Sequence, residues 1–246
     1  MRQTKLFSPF EMGPLMLKNR ISVPPMCMFV AKGGAVNDWH RVHYGKLAGS
    51  GASIVCIEAT AVTPDGRITD ADLGLWSDQL AVGFADLVRT MRAVDPLTKV
   101  AVQLNHAGRK GSGRAPGKEG YLTPEEGGWV PPAPSAVTYG EGHPLPREMT
   151  KGGIDAMVQA FANAADRAVR AGVDAIELHM AHGFLIHQFL SPVSNRRTDD
   201  YGGSFEKCLM PSKMPVVRFL SACACRRLIG LKVVGIWNKR FNWPKF

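Results

Sequence analysis

The chain has 246 residues, about what one α/β barrel domain needs. Hydrophobic residues make up 45% and charged residues 21%, which excludes disorder, collagen-like structure and low complexity as its main character. The net charge of +9 is gathered at one end: residues 207–246 hold nine Lys+Arg and no acid, and the rest balances to zero.

Asn19–Val23 leads into Pro24-Pro25 and reads as a strand ending in a rigid bend. Residues 41–50 predict a short helix closed by Gly49 or Gly51. Ser53–Val62 is dense in β-branched residues and predicts a buried strand. Ser77 reads as an N-cap, and Leu80, Phe84, Leu87, Val88 and Met91 follow at helical spacing up to Asp95-Pro96. Lys99–Asn105 is the next strand. Residues 107–150 carry many Gly and Pro without period, an excursion too long for a plain connection. Helical spacing resumes at Ile154, Met157, Val158, Phe161 and Ala165 and ends at Gly172; Val173–Met180 is a strand. Alternating β and α elements argue for parallel strands joined by crossover helices. From residue 207 the pattern degrades, and only Leu228–Val234 offers one more strand.

In a parallel barrel, sites form where the strands end. The first strand is followed by Met26-Cys27-Met28-Phe29 and the second ends in Glu58-Ala59-Thr60. The third ends in Gln103-Leu104-Asn105-His106, the fourth in His179-Met180-Ala181-His182-Gly183-Phe184. His179 and His182 are three apart, so the strand must turn between them, into a loop that Gly183 permits. As loop histidines they could be unspecific, or they could bind metal, but no third ligand at suitable spacing is evident. Gln103 offers both a donor and an acceptor, though a strand-end amide can also simply cap. Cys27 among apolar residues could be inert packing, as could Ala59.

The stretches PPMCMF (24–29), EATAVTPDGRITDADLGLWSD (58–78), QLNHAGRK (103–110) and HMAHGFLIHQFLSPVSNRRTDDYGGSF (179–205) resemble the Old Yellow Enzyme family. They match its bacterial subgroup with a cysteine after the first strand, in the right order, over about residues 4–206. The resemblance implies a (β/α)8 TIM barrel, present here as its first four to five units. It implies an oxidoreductase that holds FMN and uses NADPH or NADH to reduce activated C=C bonds of α,β-unsaturated carbonyl compounds, with quinones or nitro compounds as further acceptors. His179 and His182 then hydrogen-bond the substrate carbonyl oxygen, which gains negative charge on hydride addition. Pro24, Pro25, Met26 and Cys27 line the flavin, Ala59 neighbours it, Gln103 bonds its polar edge, and Cys27 modulates it. Lys232 stands where an arginine faces the pyrimidine edge. Phe29 and Phe184 replace tyrosines that touch substrate; the second of these is a proton donor, and phenylalanine has no proton to give. No nucleotide-binding Gly motif marks a coenzyme preference.

Family members continue into strands five to eight, whose last loops bind the FMN phosphate, and nothing here corresponds to those loops. The expectation is a chain whose residues 1–206 form the N-terminal part of an FMN-binding barrel. Residues 207–246 then read as an aberrant basic tail produced by frame disruption and early termination, with the candidate strand five inside it. The alternative function is a non-catalytic remnant that does not retain FMN, prone to aggregation because its barrel edges stay open. A nucleic-acid-binding tail is disfavoured, since the positives are scattered without a Lys/Arg run. No run of about eighteen apolar residues suggests a membrane span, and the start MRQTKLFSPFEMG lacks a secretory leader. Five scattered cysteines fit a reducing cytosol, so a cytoplasmic enzyme is expected, with full-length relatives forming homo-oligomers.

Overall fold

A computed structural model describes residues 4–118, 120–202 and 231–234. Its strands and helices, in chain order, are β1 (Phe10–Met12), β2 (Leu15–Leu17), β3 (Ser22–Val23), α1 (Asp38–Ala48), β4 (Ile54–Ala61), β5 (Leu73–Gly74), α2 (Asp78–Val94), β6 (Lys99–Asn105), β7 (Pro132–Ala133), β8 (Arg147–Glu148), α3 (Lys151–Arg170), β9 (Ala175–His179), α4 (Leu185–Leu190) and β10 (Leu231–Val234).

The main sheet runs β10-β9-β6-β4-β3, every neighbouring pair parallel, with β5 against the end of β4. The expected β-α alternation is therefore present, as part of a barrel wall. Local chemistry explains the helices. Ser77 caps α2, its hydroxyl accepting the Leu80 amide at 3.3 Å, and Thr150 caps α3 through the Gly153 amide at 3.0 Å. The first helix starts at Asp38 rather than near residue 41, because Asn37 accepts the His40 amide and so caps it earlier.

Two cores follow from the two faces of the sheet. Val55, Ile57, Val100, Val102, Leu104, Ile176 and Leu178 point outward and pack against Phe84, Leu87 and Met91 of α2 and Ile154 and Phe161 of α3. On the inner face, Ile54, Cys56, Ala101 and Ala175 meet Leu15 and Leu17 of the β1–β2 hairpin, which closes the amino-terminal end. The cleft beside this floor is mostly apolar, lined by Phe10, Met12 and Leu17 among others, and Glu177 borders it.

The excursion over 107–150 is ordered by long-range ties. The Arg197 guanidinium donates to the Pro134 and Met149 carbonyls at 2.9 and 2.6 Å and pairs with Asp199. Asn195 Nδ2 bonds the Phe189 and Tyr201 carbonyls, and the Arg196 amide bonds Ser135 Oγ. The later half of the long 179–205 motif thus contributes a structural clasp. Of the basic tail, only the strand Leu231–Val234 is described; the other residues from 207 onward lie outside the described ones.

Candidate active site

The carboxyl ends of β3, β4, β6 and β9 lie side by side, which brings the candidate residues to one rim. Ala59 pairs in register with Gln103, and Gln103 with Glu177. The backbone of β10 continues the row, with Lys232 opposite Glu177. Nε2 of Gln103 donates to Glu177 Oε1 at 2.6 Å, both side chains being buried. A carboxylate can only accept, so the amide nitrogen must face it. The amide oxygen of Gln103 is thereby directed away from Glu177.

His179 closes β9 and is buried. Its Nδ1 faces the Ala181 amide at 3.4 Å. Burial, then the neighbouring His182, Lys110 and His187, press its pKa down to about 4, so it is neutral at pH 7. With Nδ1 as acceptor, the ring proton sits on Nε2. The ring meets His182 edge-on at 5.1 Å between centroids and Phe184 at 4.6 Å. The turn between the two histidines takes more than Gly183: His182 itself has φ +57° and Gly183 +76°.

That turn is braced by the segment that follows β6. Gln188 of α4 is buried, and its Nε2 bonds the Ala107 and Gly183 carbonyls at 3.0 and 2.7 Å. Gly108 has φ +57°, and a Cβ there would lie 2.3 Å from the Gln188 amide, so only glycine lets the two segments approach. Lys110 Nζ bonds the His182 carbonyl at 3.0 Å and stands 4.7 Å over the Phe184 ring. Gln188 and Lys110 escape a reading of the sequence; the bonds from Gln188 to Ala107 and from Lys110 to His182 span some seventy to eighty residues, beyond any local pattern.

On the other side of the rim, Pro24 and Met26 are exposed, and Pro25, Cys27 and Phe29 half-buried. The Ala59 amide points at the Cys27 sulfur. Burial, with Asp72 and Glu58 nearby, pushes the thiol up to about 12, so it is a neutral S–H at physiological pH.

This set can do three things chemically. Gln103, Ala59 and the backbone around Pro24–Cys27 offer a small-residue wall with one amide, suited to a flat heterocycle. Two imidazoles at one corner can donate to an oxygen that gains charge. The thiol can contact the same ring without ionising.

A profile of the NADH:flavin oxidoreductase / NADH oxidase family matches residues 5–210. The NADPH dehydrogenase of Clostridium acetobutylicum is 46% identical over 203 residues, covering 82% of this chain and 56% of that protein. The NADPH dehydrogenase of Bacillus subtilis is 44% identical over 204 residues, with 82% and 56% covered. Among solved structures, morphinone reductase superposes with a TM-score of 0.75 at 30% identity, over 89% of this chain and 58% of that one. An Old Yellow Enzyme from Pichia sp. AKU4542 gives 0.79 at 25% identity, over 94% and 59%. The chain spans a little over half the length of the curated relatives it matches.

Proposed function

The chain belongs to the NADH:flavin oxidoreductase / NADH oxidase family, and from that premise we propose that it carries the ring-binding and carbonyl-binding half of an FMN-dependent oxidoreductase. One observation carries this reading: the row Ala59, Gln103 and Glu177 crosses adjacent strands directly beside the His179–His182 corner. The residues present fit the ring of FMN. Gln103 would meet its polar edge through the amide oxygen, Ala59 leaves room for its plane, and the Pro24–Cys27 backbone would line one side. Lys232 stands in register with Glu177, at the end of the same row, and is the candidate cation for that edge.

The chemistry that FMN supplies when bound is hydride transfer from NADPH or NADH to an electron-poor acceptor. The chain's own residues bind and polarise that acceptor. His179 Nε2–H and the ring of His182 donate to the carbonyl oxygen of an α,β-unsaturated compound, or to the oxygen of a quinone or nitro group. Because His179 is neutral, it holds its proton at that atom instead of surrendering it. Phe184 and Phe29 shape the acceptor pocket and exclude water, and neither can give a proton to the α-carbon. Protonation there falls to solvent.

In this reading residues 1–206 are the N-terminal part of the barrel and 207–246 a separate basic segment. Among the described residues no helix is long and apolar enough to cross a membrane, and the proposed setting is the cytoplasm, with small molecules as partners. The test is a titration of the expressed chain with FMN. Quenching of flavin fluorescence, and bleaching of the bound flavin by NADPH, support the reading. A colourless chain that takes up no flavin leaves it a remnant without catalysis.

A further inference from the structure

Glu58 is a buried carboxylate, 1% exposed, beside the rim but outside the groups assigned above. The register of β4 against β6 shifts between Ile57 and Ala59, so Glu58 is the extra residue of a bulge. It leaves the alternation that sends Cys56 and Ala59 inward. Its Oε2 accepts the Met28 amide at 2.9 Å, and the Phe29 amide next to it faces the same carboxyl group and helps to hold its pKa down against burial. From α1, the Tyr44 hydroxyl donates to Oε1 at 3.3 Å while accepting the Glu58 amide at 2.8 Å, which satisfies the N–H that the bulge frees. His40 stands behind, Nε2 3.6 Å from Oε1.

The segment these bonds hold is strained. Phe29 has φ +56°, a conformation that aromatic residues avoid and that persists only when the surroundings impose it. A buried carboxyl group that accepts one backbone amide and faces the next is costly to remove, because the Met28 N–H is then left without its partner.

We propose that Glu58 is a positioning residue whose buried carboxyl group, bonded to the Met28 amide and facing that of Phe29, locks Phe29 in the left-handed conformation and so fixes the Cys27 thiol and the Phe29 ring at the rim. The inference rests on the proposed function only in taking that rim as the site. The groups facing the carboxylate are Tyr44 and His40 of α1, Cys27 of the held segment, and Asp72 from the loop before β5.

The test compares Glu58→Gln, Phe29→Gly and the double variant, with amide hydrogen exchange read by mass spectrometry and thermal midpoints. Glu58→Gln lowers protection of the 26–30 segment by about tenfold or more, leaving β6 protected; general destabilisation would instead loosen both. It also lowers the midpoint less in the parent background than in the Phe29→Gly background, because release of the left-handed strain offsets part of the loss only where Phe29 is present. Unchanged protection, or equal losses in both backgrounds, overturns the proposal. If Glu58→Gln does not fold, Phe29→Gly alone is read: with Glu58 in place the 26–30 segment must keep its protection, and loss of that protection would mean that ring packing and not the carboxyl group holds the segment, which overturns the proposal. No readout uses flavin, so a chain that binds no FMN defeats the functional reading, whereas only the exchange and midpoint data can defeat this one.

Discussion

Gln103 and Glu177 face each other across β6 and β9, with Nε2 of the amide 2.6 Å from the carboxylate. The contact settles which end of the amide looks into the rim. A glutamine free to flip would present donor and acceptor alternately; held by Glu177, it keeps its oxygen turned away from that carboxylate. In the proposed reading that oxygen meets the polar edge of the flavin ring.

Glu177→Gln should therefore weaken FMN binding even though Glu177 need not touch the flavin. An amide at 177 can donate as well as accept, and the orientation of Gln103 is lost. Losing one oriented bond of this kind corresponds to roughly tenfold in affinity. Fluorescence titration measures it, with Gln103→Leu as the direct-contact control. Equal affinity for parent and Glu177→Gln would sink the orienting role.

Phe184 lies against His179, ring to ring, at the corner proposed to hold the acceptor's oxygen. Phe184→Tyr places a phenol there and gives the pocket an acid. On FMN-loaded protein, turnover of 2-cyclohexenone should rise by on the order of a hundredfold, a modest return for a positioned acid. Quinone reduction, which needs no protonation at carbon, should change little. A rise of equal size for both acceptors would point to altered binding instead.

How much of this is legible in the sequence depends on how local the cause is. Lys99–Asn105 reads as a strand from its own residues and forms one with those bounds. Ser77 and the apolar repeat after it sit within one helix and fix α2. Glu58 shows the opposite case. It lies in the run SIVCIEATAV, where alternation turns it inward, yet pairing with β6 inserts a bulge and turns it toward α1. Nothing within that run records the register of its neighbour. The short β5 and α4 escape for a related reason, since two and six residues are too few for a period to show. Lys232 is placed by resemblance alone, and the β10–β9 register sets its backbone opposite Glu177. The motif residues Asn195 to Asp199 carry the family resemblance, and the structure shows what they do, which is to clasp the excursion.

Cys27 carries a thiol pushed up to about 12, chiefly by burial and then by Asp72 and Glu58. It should resist alkylation. At pH 8 its thiolate fraction is lower than that of an ordinary cysteine by about three orders of magnitude, and iodoacetamide labelling should slow accordingly. Peptide mapping separates Cys27 from the other cysteines. Labelling of Cys27 at the rate of free cysteine would contradict a neutral thiol at the rim.

The pH dependence of stability follows from groups whose effects oppose. His40 and His179 are each pressed down to about 4, chiefly by burial. Between about 4 and 6.5 the unfolded chain binds more protons than the folded one, so these residues make stability rise with pH, and it is lost as pH falls through that range. Glu58, raised to about 7, and Asp72, raised to about 6, again chiefly by burial, act the other way. Their contribution is whole below the usual carboxylate range and is lost as pH rises toward about 7. The parent should therefore show a shallow profile in urea unfolding from about pH 4.5 to 7. Glu58→Gln removes one falling component, and its unfolding free energy should climb relative to the parent by on the order of 1–3 kcal/mol across that interval. Parallel profiles for the two chains would mean that Glu58 has the same proton affinity folded and unfolded, and that burial at the bulge is offset in full by the amides of Met28 and Phe29.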